Sequence, residues 1–202
     1  MKKLAIGLLF TFLTFSLNEG AIAETYKIDN AHSNVTFKVG HLGITKVPGR
    51  FNKFEGIINF DDFFTEPKEI KNANTNVSID LSSVDTGIKK RDEHLKSKDF
   101  FNVADYPEMK FESEKIKVTG DKTFDIIGNL TLHGVTQPVV LKAKYNGKAV
   151  SPFDGVEKVA FTADTKINRK DYGLTWNKQL EAGGFLVGEE VEIYLEIEAD
   201  KK

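Results

Sequence analysis

Beyond residue 25 most of the chain alternates apolar and polar residues with a period of two. The clearest run lies near the C-terminus. There Val191, Ile193, Leu195, Ile197 and Ala199 alternate with Glu190, Glu192, Tyr194, Glu196 and Glu198. Such alternation puts one set of side chains on a buried face and the other in water, and so predicts a strand. Similar runs carry Val35, Phe37 and Val39, then Val77, Ile79 and Leu81, then Phe124, Ile126, Leu130 and Leu132. Two more carry Val139, Leu141, Ala143 and Tyr145, and Val159, Phe161, Ala163, Thr165 and Ile167. The stretches 26–29, 51–60 and 109–118 follow the pattern less cleanly.

Turn-forming residues separate these runs. His133-Gly134-Val135-Thr136 reads as a hairpin loop, with Pro138 at the start of the next strand, where a missing N–H costs least. Gly120-Asp121 and Asn146-Gly147 read as two further turns. A helical period shows over 88–98, where Ile88, Arg91, Asp92 and Leu95 share a face and Asp85 or Thr86 can cap the start. An aromatic loop follows with Phe100, Phe101 and Tyr106-Pro107. A second irregular stretch, 168–184, holds the chain's single tryptophan. About eight strands joined by short turns, with one helix, define an all-β antiparallel barrel or sandwich rather than a βαβ fold.

The N-terminus departs from this pattern. Lys2 and Lys3 precede a mostly apolar run from Leu4 to Leu17, and Ala21-Ile22-Ala23 offers small residues at a cleavage point. Residues 1–23 therefore read as a signal peptide, and residues 24–202 as one domain, periplasmic or secreted, with no integral membrane segment after cleavage.

Composition narrows the chemistry. The chain has 202 residues, no cysteine and a formal charge of −2. The missing cysteine removes disulfides, thiolate nucleophiles and cysteine-ligated metals. The slight acidic balance argues against a nucleic-acid partner. Neither a G-x-S-x-G elbow nor a phosphate-binding glycine loop is present, so no catalytic residues are assigned and no cofactor is expected. His32 and His41 could share a metal across a sheet, but four histidines without ligand spacing read better as loop residues, and no metal is assigned. The aromatic content is more telling. An eight-stranded barrel sits at the size where side chains either fill the interior or leave room for one ligand.

Several segments together resemble the YceI-like family. They include 128–139 (Gly-Asn-Leu-Thr-Leu-His-Gly-Val-Thr-Gln-Pro-Val), Ser83-Val84-Asp85-Thr86, Lys90-Arg91-Asp92-Glu93-His94-Leu95, and Asp99-Phe100-Phe101-Asn102 with Tyr106-Pro107. His32-Ser33, His41-Leu42-Gly43, Gly49-Arg50-Phe51, Phe54-Glu55-Gly56, 168–174 with Trp176, and Gly188-Glu189-Glu190-Val191 complete the match, in order along the chain. The resemblance implies a lipocalin-like, extended antiparallel eight-stranded barrel around an apolar tunnel. It also implies a polyisoprenoid or other long amphiphile as ligand, such as an isoprenoid quinone or a fatty-acid amide, and commonly a homodimer.

On that reading the inward positions expected to line the tunnel are Phe37, Val39, Phe54, Ile79, Leu81, Phe111, Ile126, Leu130, Leu141, Phe161 and Trp176. Arg91, His94 and Arg169 are the expected polar residues at its mouth. Two other readings stay open: a barrel enzyme acting on a lipid, and an interaction protein with a filled interior. The first needs a polar constellation that the sequence does not assemble; the second needs a fully packed core.

Overall fold

The computed structural model describes residues 23–60, 73–181 and 183–202. Apart from Ala23, the segment read as a signal peptide lies outside the described residues. Among the described residues eleven strands form one sheet: β1 (Glu24–Ile28), β2 (Asn34–His41), β3 (Thr45–Phe51), β4 (Phe54–Phe60), β5 (Asn74–Asp80), β6 (Val84–Asp85), β7 (Glu108–Val118), β8 (Thr123–Leu132), β9 (Val135–Val150), β10 (Glu157–Asn168) and β11 (Val187–Lys201). The ring β1-β4-β5-β7-β8-β9-β10-β11 closes through pairing of β1 with β11, giving an eight-stranded antiparallel barrel. Strands β2, β3 and β6 extend the wall upward from β11. Helix α1 (Lys89–Lys96) lies at this upper end.

The barrel closes over a short seam, Tyr26 to Lys201, Lys27 to Asp200 and Ile28 to Ala199. Side chains reinforce it. The Tyr26 hydroxyl lies 2.6 Å from a Glu24 oxygen and 2.8 Å from a Glu157 oxygen, its one proton shared between the two carboxylates. Burial and these two carboxylates together push the Tyr26 hydroxyl pKa well above its ordinary value. Lys201 also donates to Glu24.

Sequence and structure differ at several points, each with a local cause. Asn146-Gly147 is not a turn: β9 runs through it, and the register with β10 slips there, so that Asn146 bulges while Gly147 adopts φ +135. Asparagine and glycine serve a bulge for the same reason they serve a turn, tolerance of unusual backbone angles. The true turn is at 151–156. The β8–β9 turn is tighter than expected, only His133-Gly134, both at positive φ, so Val135 and Thr136 already belong to β9. Pro48 lies in β3, a strand the alternation does not reveal. Above Arg50 that strand pairs on one side only, with β2, so the missing N–H disturbs no ladder. The helix is shorter than expected, and Ile88 at its N-cap makes no side-chain cap. Asp92 instead reaches back to the backbone N–H and hydroxyl of Thr86, at 2.9 and 2.6 Å.

Gly128 is required by a close approach. It lies inside β8 opposite a bulge in β7 between Ser113 and Lys115. A Cβ there would meet Glu112 O at 2.4 Å and the Phe111 ring at 2.8 Å.

Candidate functional site

The inward side chains do not fill the barrel. Phe37, Val77, Ile126, Val139, Ile193 and Ile197 all face the core yet are only partly buried. They border two adjoining cavities, of about 130 Å³ and about 270 Å³, which share Val35, Met109 and Ile193 in their walls. Sharing these walls, the two cavities lie end to end along the barrel.

The smaller, lower cavity is walled by strands. Ile79, Phe111, Ile126, Leu130, Leu141 and Phe161, all expected from the sequence, line it. Its few polar side chains are uncharged, Asn59, Asn74, Thr75 and Thr165. Asn59 and Asn74 bond to each other at 2.9 Å, and Thr25 donates to Asn59 at 2.8 Å. The Phe161 ring meets Phe60 and Phe124 edge-on, at 5.7 and 6.1 Å between centroids.

The larger, upper cavity gathers the polar groups. Phe37, Val39 and Trp176 line it, and so do Arg91, His94 and Arg169. The Phe37 ring lies over Gly49, its cross-strand partner; a Cβ on Gly49 would come within 2.3 Å of the ring. The missing side chain thus lets the ring lie flat along the wall. His94 packs edge-on against both Phe100 and Trp176, at 5.1 and 4.8 Å, and its Nε2 bonds Asp99 at 2.8 Å. These contacts tie the helix to the 168–186 segment as a roof.

Arg91 donates from Nε and a terminal NH2 to the hydroxyl and carbonyl oxygens of Thr86, each at 2.7 Å. Arg169 differs from the expected mouth residue because it is only 3% exposed. Its guanidinium donates to the carbonyls of Leu174, Gly188 (2.8 Å) and Val187 (3.4 Å). Burial lowers its pKa, and Glu189 offsets that only partly. It is a strut between the irregular segment and β11 as well as part of the cavity wall. Tyr172 beside it is fully buried, and burial, followed by the charge of Asp171, pushes its hydroxyl up to about 12.

Two expected lining residues fall outside both cavities. Leu81 follows the end of β5 in a 3-10 turn, fixed by Asp80 accepting from Ser82 N–H, and is wholly buried in the core. Phe54 opens β4 just after the break at Asn52-Lys53, its amide held by Asn30 at 2.9 Å, and also packs in the core. Alternation put both on the inner face but could not show that the strands break beside them. Conversely, Val47, Phe51, Leu174, Leu186 and Val187 line the upper cavity without having been singled out.

Among the described residues, His32 and His41 do not share a metal-capable group. His32 joins Asp29 and Glu198, whereas His41 lines the upper cavity. Within the Asp29 cluster the Lys158 ammonium lies 3.4 Å from Asp29, 3.1 Å from Glu198 and 2.5 Å from Asp200, filling the place a cation would take. Among the glutamates of β11, Glu192 is buried against Lys46 at 2.6 Å and Lys166 at 3.4 Å.

The described residues thus form a closed barrel around two adjoining, mainly apolar cavities, with charged side chains lining only the upper one. The chain belongs to the YceI-like domain family, whose family model matches residues 26–199. It is 43% identical over 176 residues to Protein YceI of Escherichia coli O157:H7, covering 86% of this chain and 88% of that protein. Among solved structures it is similar to the Campylobacter jejuni YceI protein, at 28% identity and a TM-score of 0.67, with 100% of this chain and 99% of that one covered. It shares its fold with a polyisoprenoid-binding domain from Saccharophagus degradans, at 18% identity and a TM-score of 0.62, covering 88% and 98% of the two chains.

Proposed function

We propose that the protein binds one long-chain amphiphilic lipid, of polyisoprenoid or related type, and carries or stores it without turnover. The observation that carries this reading is the tunnel's asymmetry: an uncharged apolar lower cavity continuing into an upper cavity with two arginines and two histidines. The tail lies in the lower cavity and the head group sits under the roof, near Arg91 and His94. Each CH2 taken from water contributes about 0.8 kcal/mol, so about ten buried carbons supply about 8 kcal/mol, most of the driving force for binding, against the entropy cost of association. The neighbour described as a polyisoprenoid-binding domain shares this fold, which supports the ligand class.

The same reading places the protein in the periplasm after removal of residues 1–23, where an insoluble lipid needs a carrier through water. The family resemblance adds a homodimer, which sedimentation equilibrium would test. An enzyme is the weaker reading, because Arg91 and Arg169 are committed to Thr86 and to backbone carbonyls rather than to a reacting group.

Organic extraction of the purified protein followed by lipid mass spectrometry tests the proposal. A single prenyl or long-acyl species near one per chain is expected. A protein that is empty, and that takes up neither a quinone nor a prenyl alcohol, contradicts it.

A further inference from the structure

The upper end of the barrel exposes large apolar side chains that packing within the chain does not explain. Ile44 is 84% exposed, Ile88 55%, Phe185 52% and Leu42 39%. They sit on three separate segments bordering the upper cavity, whose wall includes His41 and Val47, Thr86 and Arg91, and Leu186 and Val187. The Leu42 amide bonds the Leu186 carbonyl at 2.9 Å, so two of these segments are held together.

The β2–β3 turn makes the exposure costly. Leu42 has φ 54 and Gly43 φ 73, a pair of left-handed positions where asparagine and glycine are the favoured residues. A leucine there accepts backbone strain to hold an apolar group in water, which is where function is sought. The charge of these segments is mainly positive. Segments 42–47, 86–91 and 176–187 carry Lys46, Lys89, Lys90, Arg91 and Lys178 against Glu181 alone, in a chain of net charge −2. Lys46 is paired with Glu192 and Arg91 bonds Thr86, whereas Lys89, Lys90 and Lys178 are exposed. Across the rim, the Lys170 ammonium lies 5.7 Å from the Phe185 ring centre.

We propose that this rim docks on the surface of an anionic lipid bilayer, with Leu42, Ile44 and Phe185 dipping between the head groups and the lysines facing lipid phosphates. The tunnel mouth would then open onto the membrane, and a lipid could pass between bilayer and barrel without crossing water. The inference rests on the lipid-carrier reading for its purpose, but the docking is measured separately. Apolar side chains beside basic ones are the combination that holds a protein at such an interface.

The test uses residues 24–202, which include every strand of the barrel, with phosphatidylglycerol–phosphatidylethanolamine vesicles. Sedimentation with vesicles is compared for the parent protein, Leu42→Asn/Ile44→Ser and Phe185→Ser. Asparagine suits the positive φ at position 42, so the first variant keeps its fold. Docking predicts that each variant loses about tenfold in vesicle binding. Binding should also weaken in high salt and with neutral phosphatidylcholine vesicles. Transfer of a fluorescent quinone from vesicles should slow in parallel, while its uptake from detergent micelles stays unchanged. Phe153→Ser, at the opposite end, should change nothing. Parent-like vesicle binding by both rim variants overturns the proposal. So does a dimer in the parent that Ile44→Ser dissociates, which would give the face to a second copy of the chain. If vesicles are bound but no quinone is taken up by either route, docking stands and the carrier reading falls.

Discussion

The lower half of the tunnel is walled by strands whose inward positions are mostly apolar and carry no charge; the upper half is roofed by a helix and two irregular segments. The difference decides where each can fail. Below, Phe161 and Ile126 are held by backbone ladders on both sides, so the wall is rigid and only its chemistry can be changed. Above, the roof depends on a few side-chain bonds, chiefly those of Arg169, His94 and Asp92. The lower cavity therefore suits a featureless tail, and the upper one suits a head group that must be admitted and released.

The sharpest way to break this contrast is to place charge in the lower wall. Phe161→Asp puts a carboxylate among Phe60, Phe124 and Tyr145, at a cost of about 3 kcal/mol or more. Lipid retention should be abolished, as read by mass spectrometry of the folded fraction. Ala163→Phe fills the same cavity without charge and should lower retention at least about tenfold with the fold intact. Unchanged lipid load in both variants would remove the tail from the lower cavity.

Next comes the roof. Arg169→Ala leaves the carbonyls of Leu174 and Gly188 without their donor, so urea unfolding should show a loss of about 2–4 kcal/mol. Lysine should not restore it, since one ammonium cannot replace a planar fork reaching several acceptors. A loss under about 0.5 kcal/mol would mean the roof does not depend on Arg169.

A smaller effect is expected from Gly49→Ala, which drives the Phe37 ring off the wall and into the upper cavity. Affinity should fall severalfold with a stability cost of about 1–3 kcal/mol, measured by lipid titration and thermal unfolding.

The smallest concerns the seam near His32. Hydrogen bonding to Asp29, then its charge and that of Glu198, raises the His32 pKa above its ordinary 6.5, with Lys158 opposing. Burial pushes the Asp29 carboxyl up, but hydrogen bonds from His32, Ala31 N–H and Lys158 outweigh it and hold it low. A raised histidine value means the protonated form is favoured on folding. Its contribution is complete below about 6.5 and is lost as pH rises through the raised value. The Tm advantage of the parent over His32→Gln should therefore shrink as pH rises above about 6.5. An advantage that grows over that range would contradict the pairing.

The two halves also differ in how legible they are in the sequence. The lower cavity follows from period-two alternation, because continuous strands turn every second residue inward; six expected residues fall there directly. That reading fails at strand breaks, as Phe54 and Leu81 show. The upper cavity is built from contacts between segments far apart in the chain. Trp176 meeting His94, or Arg169 reaching Gly188, leaves no periodic trace. The aromatic pair Phe100-Phe101 signals a packed loop but not its place beneath the helix. Asn146-Gly147 carries a turn signal that the long β9–β10 pairing overrides as a bulge.

The orientation of the bound lipid tests the account most directly. A prenyl lipid carrying a photoreactive diazirine at its tail end is loaded into the protein, irradiated, and the labelled residues are located by peptide mass spectrometry. Labelling concentrated on lower-cavity residues such as Phe124, Ile126 and Phe161, with a head-group probe labelling Trp176 or His94, is the predicted result. Tail labels on the upper cavity, or on the outer faces of the strands, would contradict it.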